Sequence, residues 1–444
     1  MPRMIALAIT FSLFAAFSAT AQEEISREQQ REATIRYGIE TQVIELLSAL
    51  GSEKNRDFDN LLLELLVKSG SAKLRSSLFD YFAAGESGRA VEPAADVIRG
   101  RDELQDSLVA SAFSYLIKMK SDAALKEAST ILRDDERRYA RAAVKMLGAA
   151  GGVGEAKSLM DAYEAEGVTP ELRQEIILAL GSIGSVSAFD LLAGIAGDEE
   201  AGKVERMYAC TALGGLGDDR AVPVLVKAAR SIDPNVRGNA VTALGLFQGG
   251  AAKEAIIDAL RDTHVAPRTA AVKAAASLHL ADAVPAIEYK AAYDPERQVR
   301  DAALDALADI GGTRAFDFLL GFLENAKNAA QYRVKAFSVL VAKGNVIYRA
   351  GAERNFDAAA TEKDRSLYLA LARAVLAIDD PAVAGYAKKL YRDPEFGVRM
   401  AAIAWAERTI YKGHLDELKA LAENDPTEAV RKRAAAAIDR LQRN

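Results

Sequence analysis

Cysteine, histidine and tryptophan are nearly missing from this chain: one Cys, three His and one Trp in 444 residues. A single cysteine cannot close an internal disulfide, so stability has to come from packing. His264, His279 and His414 lie far apart in the sequence, and none is followed by Glu, which argues against a histidine-rich metal site. No GxSxG, P-loop or HExxH motif is present, so the usual nucleophile, phosphate and zinc signatures are all missing. Charge of one sign is lacking too. The chain has 57 Lys and Arg against 63 Asp and Glu, a mild acidity that offers nucleic acid no basic surface. After residue 21 no apolar run approaches the ~20 residues that a membrane-spanning helix needs.

What the chain does have is a repeat. The stretch DPNVRGNAVTALG, residues 233 to 245, returns in recognisable form, and Arg237 marks it. Arg173, Arg206, Arg237, Arg268, Arg300, Arg333, Arg365, Arg399 and Arg431 are separated by 33, 31, 31, 32, 33, 32, 34 and 32 residues. A period this steady is the signature of stacked supersecondary units. Three residues after the marker stand Ile176, Ala209, Ala240, Ala271, Ala303, Ala336, Tyr368, Ala402 and Ala434, and four after it Ile177, Cys210, Val241, Val272 and Leu304. Ala-Leu pairs follow at six and seven. Positions three, four and seven apart share one helical face, so each stretch is an amphipathic helix whose small-residue stripe allows close packing. Cys210 sits in a core column among Ile, Val and Leu, which assigns it to packing rather than to redox chemistry.

Local signals agree. Asp233-Pro234, Asp294-Pro295, Asp393-Pro394 and Asp425-Pro426 read as N-caps followed by first-turn prolines. Gly181, Gly214 and Gly245 fall near the far ends of the motif helices, where turns are expected. Glycine-rich GAAGGVGE, residues 148–155, follows a helix rather than a strand and reads as an inter-helix turn. A second helix lies between motif helices, as in RAVPVLVKAARS and TRAFDFLLGFLEN. The fold class is therefore all-α, an α-solenoid of about twelve helix pairs, which grows without the size limit of a single globular core.

The ends and one interior stretch differ. Residues 1–21, MPRMIALAITFSLFAAFSATA, carry Arg3, an apolar run of about 14 residues and an AxA site, the pattern of a cleaved secretory signal peptide with the cut between Ala21 and Gln22. No cysteine follows the cut, so the expected product is not a lipoprotein; it is an exported chain, periplasmic or secreted, with no membrane span after cleavage. Residues 22–70 read as a polar segment and capping helices, and 71–444 as the repeat array. Within it, KGNVIYRAGAERNFDAAA at 343–360 looks irregular, because Gly344, Asn345 and Gly351 stand where a second helix should run. Its reading is a shortened helix, a surface loop, a hinge or a binding loop.

Two antiparallel helices per 32 residues with DP and VR marks resemble short HEAT repeats of bacterial HEAT-like and phycobilisome-lyase-like proteins, over roughly residues 70 to 440. The text around RYGIETQVIELLSAL is similar to exported spirochaete HEAT-repeat proteins. The resemblance implies that motif helices line a concave face, and that the arginine column is structural. It also brings two enzymatic relatives into view. Deoxyhypusine hydroxylase holds iron through His-Glu pairs that this chain lacks, and bilin lyases work on a chromophore that an export signal leaves behind.

Function then divides into a non-enzymatic scaffold that binds protein, with no cofactor, and an enzyme or bilin-lyase-like ligand carrier with a site in the concavity. The missing catalytic constellation favours the scaffold. The arginine column could form a basic stripe, but its exposed neighbours alternate in sign, which suits a ladder between units rather than phosphate binding. Candidate partner-binding residues are Tyr208, Asn239, Thr242, Lys273, Asp305 and Lys335, together with Trp405. The last stands in a column otherwise filled by Ala179, Ala212, Ala243, Ala274 and Ala306, and so either fills a wider gap or projects as an aromatic anchor.

Overall fold

The computed structural model describes residues 27–134, 138–361 and 365–443; the expected signal peptide and its cleavage point lie outside them. Among the described residues there are 26 α-helices and no strand, in two compact units, Met1–Asp218 and Asp219–Asn444. The chain is an all-α solenoid.

The first unit opens with α1 (27–37). Its motif helices are α2 (Glu40–Glu53), α4 (Ala72–Ala84), α6 (Asp106–Met119), α8 (Ala140–Ala150), α10 (Pro170–Ile183) and α12 (Lys203–Leu216). Between them run α3 (Asp59–Lys68), α5 (Val91–Arg99), α7 (Leu125–Ile131), α9 (Val153–Glu164) and α11 (Phe189–Gly197). Successive motif helices pack on one another, and each intervening helix packs on the motif helix that follows it. The segment expected to cap the array is α1 to α3, and α2 already lies against α4 as later motif helices lie against their neighbours.

The second unit repeats the scheme. Motif helices are α14 (Pro234–Leu244), α16 (Val265–Ser277), α18 (Arg297–Ile310), α20 (Ala330–Lys343), α22 (Ser366–Leu376), α24 (Phe396–Thr409) and α26 (Glu428–Arg443). The intervening helices are α13 (Ala221–Ala228), α15 (Gly250–Ala259), α17 (Val284–Tyr293), α19 (Gly312–Glu324), α21 (Val346–Ala360), α23 (Ala384–Leu390) and α25 (Leu415–Asn424).

The core is built from the repeat columns. Ile176, Ala209, Ala240, Ala271, Ala303, Ala336, Ala402 and Ala434 are fully buried, as are Ile177, Cys210, Val241, Val272 and Leu304. Each large aliphatic side chain so buried contributes about 1.5–3 kcal/mol. The alanines six residues after the marker are small for a reason visible one helix back. A Cβ on Gly181 would stand 2.8 Å from Ala212 Cβ, and one on Gly245 would stand 2.9 Å from Ala274 Cβ. Gly181 therefore serves close helix approach rather than a turn, and Gly245 does so while also ending α14. The turns come eleven residues after the marker, where Gly184, Gly217, His279, Gly311 and Ile410 all have positive φ.

The cap reading holds at Asp233, whose side chain accepts from the Asn235 and Val236 amides ahead of Pro234. It fails at the other three Asp-Pro pairs. Those helices begin at Arg297, Phe396 and Glu428, each three residues past its aspartate. Asp294, Asp393 and Asp425 instead close Asx turns on the amides of Glu296, Glu395 and Thr427, at 3.0, 2.9 and 2.9 Å.

Residues 343–360 are likewise regular, contrary to the expected break. Gly344 ends α20, Asn345 caps the next helix through the Ile347 and Tyr348 amides, and α21 runs unbroken for 15 residues. Gly351 sits where a Cβ would meet Leu320 at 2.8 Å, so the glycine marks close packing inside a helix. Most of the stretch is therefore helix rather than loop.

Candidate functional site

The marker arginines define one edge of the motif helices, and they point into the loops. In the second unit Arg237 gives Asp262 two hydrogen bonds, at 2.7 and 2.8 Å, and Arg268 does the same to Asp294, both at 2.9 Å. Arg399 binds Asp425 at 2.7 and 2.9 Å, and Arg365 binds Asp393 at 2.5 Å. In Arg237, Arg268 and Arg399 the third nitrogen reaches back to the loop before its own helix, as Arg268 Nη1 does to the carbonyls of Asp262 and Thr263 at 3.0 Å. Burial alone would raise the Asp294 carboxyl. The Arg268 hydrogen bonds, the Glu296 amide and the Lys290 charge outweigh it and hold that group below the ordinary carboxylate range.

Three marker arginines meet no carboxylate ahead among the described residues, and they turn back. Arg300 Nε donates to the Ala291 carbonyl at 3.0 Å and Arg333 Nε to Leu323 at 2.8 Å, while Arg431 takes the Asp425 carbonyl at 2.6 Å. In the first unit Arg206 pairs with Glu199 at 2.7 Å, and Arg173 lies 5.4 Å over the Tyr163 ring with a buried Nε that has no hydrogen bond.

Most residues two, five and nine after the marker, with Ala270 and Leu367 as buried exceptions, escape both core and ladder and form the outer face of the motif helices. On α16, α18 and α20 this face carries Lys273, Asp305 and Lys335. Lys335 Nζ stands 2.7 Å from Asp305, and Lys343 pairs with Asp309 one turn further on. Between α16 and α18 lies a groove of about 680 Å³. Ala276, Ala302 and Ala306 floor it; Thr269, Lys273 and Ser277 line one wall, and Gln298, Asp305 and Asp309 the other. His279 closes one end. Its Nδ1 stands 2.8 Å from the Asp309 carbonyl, which can only accept, so Nδ1 donates that hydrogen bond. Lys273 makes no ion pair among the described residues. The groove thus offers donors, acceptors and both charge signs over a floor of methyl groups, which suits a polypeptide segment.

The structure separates the remaining sequence-selected residues. Asn239 and Thr242 lie on α14 and bond back to their own helix, at the carbonyls of Asn235 and Gly238. Tyr208 belongs to the first unit, half-buried on α12. Trp405 is fully buried, which removes it from any partner surface: its indole N–H donates to the Ile378 carbonyl at 2.9 Å, and its ring meets Tyr411 and His414 at 5.5 and 6.1 Å. Cys210 is buried and its thiol is pushed up to about 12 by desolvation, so it is not a nucleophile. Gln298, Asp309 and His279 are groove residues that the column reading passed over. Asp309 could have been found by following Asp305 one helical turn along the same face. His279 could not, because only its left-handed backbone turns it inward.

Among the described residues no three His, Cys, Asp or Glu side chains gather as a metal site would need. A family model described as "Spirochaete HEAT repeat protein" matches residues 35–391. No curated protein matches the chain. Among solved structures, Kap95p bound to RanGDP is similar at 16% identity and a TM-score of 0.51, over 86% of this chain and 60% of Kap95p. The CpcE–CpcF phycocyanin lyase complex from Nostoc sp. PCC7120 is 21% identical with a TM-score of 0.33, over 57% of this chain and 94% of that one. Human deoxyhypusine hydroxylase is 18% identical with a TM-score of 0.27, over 67% and 99%.

Proposed function

The chain belongs to the spirochaete HEAT repeat protein family, and from that premise we propose that it is a non-enzymatic scaffold or adaptor that binds protein in the periplasm or cell envelope. The observation that carries this reading is the α16–α18 groove, where Lys273, Gln298, Asp305 and His279 converge on an alanine floor. The bound partner lies along the exposed face of α16, α18 and α20. Its charged side chains meet Lys273 and the Asp305–Lys335 pair, and its backbone meets Gln298 and His279. Kap95p, which shares the fold, binds RanGDP in its own structure, and the analogy favours a protein ligand. Export rests on residues 1–21, whose apolar run and AxA site direct cleavage before Gln22.

A photo-crosslinking residue placed at 273 or 298, with one at 253 on α15 as the reference position, tests the surface. Crosslinks to a defined envelope protein from 273 and 298 but not from 253, lost in the charge reversal Asp305→Lys, are expected. Equal labelling from all three positions would remove the groove from the reading. Cell fractionation and N-terminal sequencing test export: recovery of Met1 in the cytoplasm would overturn it.

A further inference from the structure

One rung of the arginine ladder is built but carries no carboxylate. Asp262, Asp294, Asp393 and Asp425 each close an Asx turn on the amide two residues ahead, and each holds a guanidinium from the preceding motif helix. Asn325 closes the same turn, on the Lys327 amide at 3.0 Å, and ends α19 as Asp294 ends α17. It therefore stands in the ladder position as a neutral amide.

The arginine that should face it, Arg300, has turned away to the Ala291 carbonyl and places its Cζ over the Tyr332 ring, 3.7 Å from the centroid. Only its Nε is used. Among the described residues its two Nη groups make no hydrogen bond, and neither is a buried unsatisfied atom, so both face solvent. Arg333, on the next motif helix, likewise places Nε on the Leu323 carbonyl, and among the described residues its Nη groups make no hydrogen bond. Exposed Lys327 lies in the loop between them, and it too makes no ion pair among the described residues. Glu296 and Glu324, both exposed, pair with none of the three. A guanidinium stacked on an aromatic ring with its N–H fork free is preorganised for a carboxylate.

We propose that the seam between α18 and α20, bearing Arg300, Lys327 and Arg333, docks an acidic, carboxylate-bearing peptide segment of the protein partner and so completes the ladder from outside. The inference rests on the protein-binding reading above but uses a surface separate from the α16–α18 groove. The formal charge of the chain is −6. Its general field repels such a peptide, and binding depends on this local cluster.

The test uses the mature full-length chain and a fluorescein-labelled octaglutamate peptide, followed by anisotropy at low and at about 150 mM salt, a range over which exposed charges are increasingly screened. Wild-type protein is expected to bind it and to ignore octaglutamine. The Arg300→Gln/Arg333→Gln double variant should lose at least tenfold in affinity with its circular dichroism unchanged. Asn325→Asp supplies the missing carboxylate in cis, and it should weaken peptide binding while raising the melting temperature. That variant keeps the test decisive even if the arginine variant folds poorly. Unchanged affinity in Asn325→Asp, equal binding of octaglutamine, or complete displacement by equimolar inorganic sulfate would overturn the proposal. Loss of binding in Lys273→Gln alone would place the acid in the groove, sinking this inference while leaving the protein-binding reading intact.

Discussion

Arg237 and Asp262 are joined by two hydrogen bonds of 2.7 and 2.8 Å, and the backbone carbonyl of the same aspartate receives Arg268 at 3.0 Å, so one residue holds two successive motif helices. Asp393 does this for Arg365 and Arg399, and Asp425 for Arg399 and Arg431. Register between successive repeats is set in the loops by these bonds and along the helices by the alanine and leucine columns. A buried ion pair adds little net stability, but removing one partner strands the other charge away from water.

The ladder should therefore respond unequally to truncation. Arg268→Ala leaves Asp294, whose side chain is 0% exposed, with the Glu296 amide and, as its one remaining cation, Lys290 at 3.4 Å, and should cost up to about 3–5 kcal/mol. Arg300→Ala breaks one bond to a carbonyl and one cation–π contact with Tyr332, and should cost about 1–2 kcal/mol. Urea unfolding followed by far-UV circular dichroism checks the contrast. Equal losses would mean that the carboxylates do not distinguish the two arginines.

Acid should weaken the C-terminal repeats through His414. This ring is buried against Tyr391, Tyr411 and Trp405, and desolvation lowers its pKa, with Lys388 reinforcing the shift and Glu417 opposing it. The folded pKa lies below the unfolded value of about 6.5, so between the two the unfolded chain binds more protons. Stability is then complete above about pH 6.5 and falls as pH drops through the folded pKa. His414→Phe should flatten the melting temperature over that window; a pH profile identical to wild type would refute the assignment.

Trp405 should behave as a core residue. Trp405→Ala should cost roughly 3–5 kcal/mol and fray the helices after α22. The native protein should emit at blue-shifted wavelengths with little quenching by acrylamide. Red-shifted, readily quenched emission from the folded chain would contradict the burial.

Ile410 ends α24 with φ at 53°, a left-handed conformation that costs a β-branched residue about 1–2 kcal/mol. Its side chain is 47% exposed, so little packing is lost on removal. Ile410→Gly should stabilise the protein by about 0.5–1 kcal/mol, after the greater unfolded-state freedom of glycine is subtracted. A lower melting temperature would show that the side chain contributes more than the strain.

The repeat, its period, the motif helices and their core columns were legible in the sequence because they are local: a 3.6-residue period and a 31–34-residue spacing survive without any knowledge of neighbours. The Arg column was legible as a column, and the groove pair Lys273 and Asp305 followed from stepping outside the buried face. What tertiary structure alone decided were partners in neighbouring repeats. Ala212 and Ala274 are small because Gly181 and Gly245 press on them from the preceding helix. Trp405 is inside because the Ile378 carbonyl, 27 residues away, receives its indole. The glycines of 343–360 read as breaks because a sequence shows a glycine's freedom but not the cap at Asn345 or the Leu320 side chain that makes use of it. Asn325 became informative only when its turn could be overlaid on those of four aspartates, since a missing charge is visible only beside the arginine that should have held it.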